Sequence, residues 1–128
     1  MARGGKVIIP AGTDVWPHEL ETAEALAAAG FEVEFVRRTE GKGAKSADVV
    51  IDGVLWEMKA PESSGEKSLD RVLRRASRQS PIVTVDAARM RRCTDRTAER
   101  DLRKLFPLIS GLRRLLLVKK CREVLVIK

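Results

Sequence analysis

The dipeptide Asp52-Gly53 lies between two apolar stretches and is the feature that most constrains the fold. An Asp-Gly pair flanked by alternating apolar residues is the strongest short-range signal for a two-residue β-hairpin turn, because both turn positions need a positive φ. Residues 48–60 are therefore predicted to form two antiparallel strands. The turn also fixes the register, which places Asp48 opposite Glu57.

The register divides the hairpin into two faces, because successive side chains of a strand point to opposite sides. Asp48, Glu57 and Lys59 share a charged face, which we expect to lie outside the core. The other face is predicted to be apolar and consists of Val49, Ile51, Val54, Trp56 and Met58.

The facing carboxylates of Asp48 and Glu57 suggest a metal site. Their Cβ atoms are expected about 4.5–5.5 Å apart, a distance at which like charges are destabilising. A hard divalent cation, Mg²⁺ or alternatively Mn²⁺, would offset this repulsion, and Lys59 would stabilise an attacking water or a phosphate oxygen. This arrangement suits phosphodiester hydrolysis. Charges that alternate on a solvated strand face for solubility would give the same pattern.

An acidic helix precedes the hairpin, beginning at Pro17 and ending before Gly30. On this helix Glu19 lies on the same side as the apolar stripe, so its carboxylate is a candidate for a further metal ligand, with Glu24 as second choice. The alternative for Glu19 is a purely structural acid that the helix dipole favours near the N-terminus.

A second helix, predicted over residues 68–79, carries a row of arginines opposite its apolar stripe. A guanidinium group can donate two hydrogen bonds to one phosphate, so such a row is suited to gripping a nucleic-acid backbone. A solvated charged face is the alternative. The arginines follow the i, i+3, i+4, i+7 spacing and are Arg71, Arg74, Arg75 and Arg78.

The predicted order of elements is helix, three strands, helix, strand, helix and two strands. This order indicates an α/β fold with a mixed central β-sheet flanked by helices, and the length of 128 residues suits a single domain, 1–128. The third helix is predicted over residues 94–108, with Pro107 marking a kink or an early end.

The net charge and the aromatic content of the chain indicate which kind of partner it binds. With 25 Lys and Arg against 18 Asp and Glu, the net charge of +7 favours a polyanion such as nucleic acid. Tyr is absent and aromatic residues make up 4%, which argues against binding by base stacking.

His18 is the only histidine, and Cys93 and Cys121 are far apart, so a zinc site is not expected. No membrane-spanning run or secretory signal is recognised, which indicates a cytoplasmic site of action.

Asp48, followed nine residues later by Glu57-Met58-Lys59 and preceded by an acidic helix, resembles the motif of the PD-(D/E)XK nuclease superfamily, with Ala47 in place of its proline. Over nearly the whole chain, the segments WPHELETAEALAAAGFEVEF, ADVVIDGVLWEMKAP, ASRQS and LRRLLLVKK are similar to the C-terminal tRNA nuclease toxin domain of CdiA-type contact-dependent growth inhibition proteins. The residues that match the motif positions are Glu19 or Glu24, Asp48, Glu57, Lys59 and, at the end of the second helix, Gln79.

The resemblance implies a PD-(D/E)XK nuclease-like core, tRNA as substrate, a divalent metal and a cognate immunity protein as partner. It leaves Gln79 as either a polar support for the site or a helix cap. Our leading hypothesis is a metal-dependent endoribonuclease that cleaves tRNA or structured RNA. The alternatives are a DNA endonuclease of the same superfamily and a nucleic-acid-binding module that does not hydrolyse its ligand.

Overall fold

The computed structural model describes residues 5–13, 15–35 and 49–128. In this part of the chain three α-helices, one 3₁₀ helix and seven strands alternate in nearly the predicted order, with one additional strand at the start. The elements are β1 (Lys6–Ile8), α1 (Pro17–Ala28), β2 (Glu32–Phe35), β3 (Val49–Ile51), β4 (Val54–Lys59), α2 (Glu66–Ser77), β5 (Ile82–Asp86), α3 (Asp95–Leu105), the 3₁₀ helix (Phe106–Leu108), β6 (Arg114–Val118) and β7 (Val124–Val126).

The described strands form one mixed sheet in sequence order, from β1 at one edge to β7 at the other. Strands β4, β5 and β6 are mutually parallel in the centre, and the pair β1–β2 is also parallel. The pairs β2–β3, β3–β4 and β6–β7 are antiparallel. The predicted α/β architecture with a mixed central sheet is therefore confirmed.

The β3–β4 hairpin has the predicted turn and register. Asp52 and Gly53 have φ angles of 50° and 84°, the left-handed conformation that an Asp-Gly turn supplies. Val49 pairs with Trp56, as the two-residue turn requires. Asp48 lies outside the described residues, so its position opposite Glu57 stays a prediction.

The helices cover opposite faces of the sheet. Helix α1 packs on the face that contains Trp56 and Met58, whereas α2 and α3 pack on the face that contains Val83 and Val85. Glu57 pairs with Val83 and Lys59 pairs with Val85, and paired residues share a face. The charged side of β4 therefore lies beneath α2.

Two local predictions are modified by the packing. Val54, expected on the buried apolar face, is 42% exposed because it directly follows the turn, at the end of the hairpin. Helix α3 ends at Leu105 and passes into the 3₁₀ helix that contains Pro107, so the proline marks an early end. Among the described helices, none combines the length and the apolar character that crossing a membrane requires.

Gly5 is placed so close to the backbone before β2 that a larger residue would not fit. A Cβ atom at Gly5 would come within 1.8 Å of the carbonyl oxygen of Phe31. We expect Gly5→Ala to lower the free energy of unfolding by about 1–3 kcal/mol, because backbone atoms must move apart. Urea unfolding would measure the effect. Gly111→Ala is the matched control, since its Cβ would meet nothing closer than the Ser77 hydroxyl at 3.5 Å; equal effects would contradict the prediction.

Candidate functional site

Glu57 is buried, with only 2% of its surface exposed. This corrects the expectation that the charged face of the hairpin lies outside the core. Glu57 is buried because α2 packs over this face of the sheet, where Leu69 and Leu73 share a core cluster with Val83. Burial of an ionised carboxylate is costly unless charges and hydrogen-bond donors compensate it, so the groups around Glu57 decide its role.

Among the described residues, the side chains of Lys59 and Gln79 contact the Glu57 carboxylate. The Lys59 ammonium lies 2.9 Å from Oε2. With its amide nitrogen facing the carboxylate, Gln79 donates to both oxygens, at 3.1 Å to Oε1. Gln79 is two residues beyond the last residue of α2, and its own N–H donates to the carbonyl oxygen of Ala76, so the end of the helix sets its position. The structure thus brings Glu57, Lys59 and Gln79 together as one cluster.

Lys59 also opens onto a cleft of about 200 Å³ between β4 and α2. The ammonium-bearing side chain is 29% exposed, in contrast to its buried partner. Arg71 and Arg75 line the cleft, and neither forms an ion pair within the described part of the chain. Three cations around one small cleft next to a buried carboxylate make a site that favours an anion with several oxygens, such as a phosphate.

The predicted arginine row of α2 is divided between different environments. Arg71 and Arg75 line the cleft with Lys59. Arg74 instead pairs with Asp70 on the helix surface, at 3.0 Å. Arg78 is exposed at the end of the helix. A regular spacing along the helix therefore does not give the four arginines one function.

The acids of α1 are placed differently from Glu57. Glu19 Oε1 accepts the N–H of Trp16 at 3.1 Å, a contact that closes the first turn of the helix. Glu24 is exposed. Helix α1 packs on the face of the sheet opposite Glu57. Within the described ranges no three His, Cys, Asp or Glu side chains group as a metal site. The assignment of Glu19, Glu24 and Asp48 as metal ligands stays a prediction.

A second buried carboxylate, Asp86, was not singled out from the sequence. It lies at the end of β5, is 3% exposed, and accepts two hydrogen bonds from the Arg122 guanidinium, both at 2.9 Å. The hydroxyl of Thr22 and the N–H of Ala88 also donate to it. The sequence does show an acid at the end of an apolar strand, which could have drawn attention to Asp86. Its partner Arg122, however, is 36 residues away in the sequence.

Burial alone would raise the pKa of Asp86, but the hydrogen bonds from Arg122, Thr22 and Ala88 outweigh it and lower the pKa below the ordinary value. The same contact raises the pKa of Arg122. Asp86 thus remains charged and links α1, β5 and the turn that follows β6. We refer to Thr22, Asp86 and Arg122 as the buried clamp.

Comparisons with known proteins agree with this architecture. One chain of a solved structure, the CdiA-CT/CdiI toxin and immunity complex from Burkholderia pseudomallei, is similar with a TM-score of 0.72 and 19% identity, covering 96% of this chain and 99% of that one. At this identity the similarity bears on the fold alone. No curated protein matches the sequence. Residues 45–124, well over half of the chain, match the model of the contact-dependent growth inhibition CdiA C-terminal domain. The chain therefore belongs to the CdiA C-terminal domain family of contact-dependent growth inhibition.

Proposed function

We propose that this chain is a toxin domain that cleaves RNA, an endoribonuclease acting on tRNA or structured RNA. The observation that carries the proposal is the buried Glu57 held by Lys59 and Gln79 at the edge of a cleft lined by Arg71 and Arg75. Burying a carboxylate lowers the stability of the folded state unless other groups compensate it, and titratable groups in such environments are concentrated at functional sites.

Lys59 is the residue that we assign to the reacting phosphate. Its ammonium would contact a phosphate oxygen and stabilise the negative charge that develops there as water attacks phosphorus, the P–O bond to the leaving ribose oxygen breaks and a proton of the water passes to that oxygen. Glu57 holds this ammonium in one position and Gln79 holds the Glu57 carboxylate, so little reorganisation is needed during the reaction. Arg71 and Arg75 would bind the neighbouring phosphate groups of the RNA backbone.

The proposal includes a divalent metal because Asp48, which lies outside the described residues, would supply a second carboxylate beside Glu57. The described residues supply one carboxylate at the site, Glu57, whose oxygens already accept hydrogen bonds from Lys59 and Gln79. These residues alone do not fit a metal centre, because Mg²⁺ requires near-octahedral oxygen coordination. Dependence on Mg²⁺ or Mn²⁺, with the ion held by Asp48 and Glu57, stays a prediction.

A cognate immunity protein is the proposed partner. Membership of the CdiA C-terminal domain family supports a toxin role, and the similar fold in a toxin and immunity complex supports a protein inhibitor. Because tRNA is a cytoplasmic substrate, the proposed site of action is the cytoplasm of the cell that the toxin enters. The immunity protein would then have to keep RNA away from the cleft.

Incubation of the purified chain with bulk tRNA and with duplex DNA tests the proposal. With Mg²⁺ or Mn²⁺ present we expect discrete tRNA fragments on a denaturing gel and intact DNA, with no cleavage in excess EDTA. A co-expressed cognate immunity protein should prevent cleavage. Products from DNA alone would favour a DNA endonuclease. If neither substrate is cut with any divalent metal, the nuclease proposal fails; cleavage that resists EDTA contradicts only the metal.

A further inference from the structure

Helix α2 presents a hydroxyl group to the cleft in addition to its two guanidinium groups. The side chains that line the cleft are Lys59 from β4 and Ser68, Arg71, Val72 and Arg75 from α2. The four helical positions follow the i, i+3, i+4, i+7 spacing, so they lie on one side of the helix. Ser68 is therefore in the first turn of α2, on the side that borders the cleft with Lys59.

The described lining of the cleft is rich in hydrogen-bond donors. Ammonium and guanidinium groups only donate, and a valine side chain does neither, whereas a hydroxyl has one donor and two acceptor lone pairs. The Glu57 carboxylate beside Lys59 is buried and already accepts hydrogen bonds from Lys59 and Gln79. Among the described side chains that line the cleft, Ser68 is thus the one that can accept a hydrogen bond from a ligand.

The Ser68 hydroxyl is placed to make such a contact. It is partly exposed, and it makes no hydrogen bond within the described part of the chain. The other serine of α2 is different, because the Ser77 hydroxyl donates to the carbonyl oxygen of Arg74 at 2.9 Å. A ligand in the cleft can therefore use both the donor and the acceptors of Ser68.

We propose that the Ser68 hydroxyl accepts a hydrogen bond from the 2′-hydroxyl of the ribose whose phosphate the cations of the cleft bind. The inference rests on the proposed function and deepens it, because it names a residue that selects RNA over DNA. A phosphate group offers only acceptors, which the cations match, so it leaves the acceptors of Ser68 unused. The ribose of RNA carries a hydroxyl that donates as well as accepts, and deoxyribose lacks it.

Binding of two fluorescently labelled oligonucleotides of equal length, oligouridylate and oligodeoxyuridylate, tests the inference, because they differ only in the 2′-hydroxyl. Anisotropy is measured with the full chain in excess EDTA, and a denaturing gel verifies that the oligonucleotides stay intact. We expect Ser68→Ala to raise the Kd for oligouridylate about fivefold, the size expected for one hydrogen bond. The Kd for oligodeoxyuridylate should change by less than about twofold.

The salt dependence separates this contact from a contact to phosphate. Because Ser68 is uncharged, Ser68→Ala should leave the slope of log Kd against log salt unchanged, whereas Arg75→Gln should lower its magnitude by about 0.7 on both oligonucleotides. Ser77→Ala is the matched control, since it removes the same group from the same helix outside the cleft. It should change neither Kd by more than about twofold, and Ser68→Thr, which keeps the hydroxyl, should retain most of the preference for oligouridylate.

Equal losses on both oligonucleotides in Ser68→Ala would overturn the inference and assign the hydroxyl to a phosphate contact. A wild type without a preference for oligouridylate, or a preference that survives Ser68→Ala, would overturn it as well. The proposed function fails separately. A wild type that cleaves nothing, but whose preference for oligouridylate depends on Ser68, contradicts the nuclease and keeps the contact; cleavage of tRNA together with a preference that does not depend on Ser68 does the reverse.

Discussion

Replacing Lys59 with Ala should lower the rate of tRNA cleavage by the folded protein by about 100-fold or more. The expected size follows from the loss of one preorganised group that stabilises charge in the transition state. The free energy of unfolding should fall as well, because the substitution leaves the buried Glu57 carboxylate without its cationic partner, so the rates are compared at a temperature at which the variant is folded. Initial rates on labelled tRNA and thermal unfolding followed by circular dichroism would measure the two effects.

The variant Gln79→Ala tests whether Gln79 acts by positioning Glu57 and Lys59 rather than by contacting RNA. Because Gln79 contacts the Glu57 carboxylate, its loss should lower kcat by about tenfold and leave KM nearly unchanged. Lys104→Ala is the control for the loss of one positive charge, since this residue lies on α3 and pairs with Glu66. Full activity of the Lys59→Ala protein would rule out the proposed role of the ammonium.

Replacing Arg122 with Gln should lower the free energy of unfolding by about 2–4 kcal/mol. The substitution leaves the buried Asp86 carboxylate without its cationic partner, and a buried charge that loses its partner is strongly destabilising. It also removes the contact from Arg122 to the carbonyl oxygen of Glu21, so α1 loses part of its attachment. Urea unfolding gives the value, with the slope of the transition as a check on two-state behaviour.

Arg103→Gln is the control, because its pair with Glu99 is one helical turn apart on an exposed surface. Such pairs contribute about 0.3–0.5 kcal/mol, so the control should be almost neutral. Equal losses for Arg122 and Arg103 would show that the buried clamp contributes no more than a surface ion pair.

The buried clamp should also give stability a defined dependence on pH. The pKa of Asp86 is lowered in the folded state, so its contribution is fully present above the unfolded pKa, about 3.9. Below that pH the unfolded chain takes up the proton first, and the contribution is lost as the pH falls through the lower folded pKa. The stability difference between wild type and Asp86→Asn should therefore be constant from pH 7 to about 5 and shrink below about 4. A constant difference down to pH 2 would contradict this assignment.

The local part of the fold followed from short-range patterns. The Asp52-Gly53 turn fixed the pairing of Val49 with Trp56, because a two-residue loop allows one register. The spacing of apolar residues predicted α2 and its buried side, and the order of helices and strands predicted a mixed sheet. These features depend on residues that are close in sequence, so the sequence alone was sufficient to predict them.

The site itself depended on how distant elements pack. Alternation predicted that Glu57 and Lys59 share a face, but only the position of α2 buried Glu57 and left Lys59 at the cleft. The helical spacing of the arginines did not distinguish Arg71 and Arg75 from Arg74, which Asp70 neutralises. Which cations remain available is decided by their neighbours in space.

For the charged face of the hairpin, the sequence determined the register and the side on which Glu57 and Lys59 lie, because a strand has a period of two. The tertiary structure decided that Gln79 completes the cluster and that Arg122 reaches Asp86. These contacts join segments brought together by burying apolar surface, a force without direction that no local pattern specifies. The facing of Asp48 and Glu57 stays a prediction of the register.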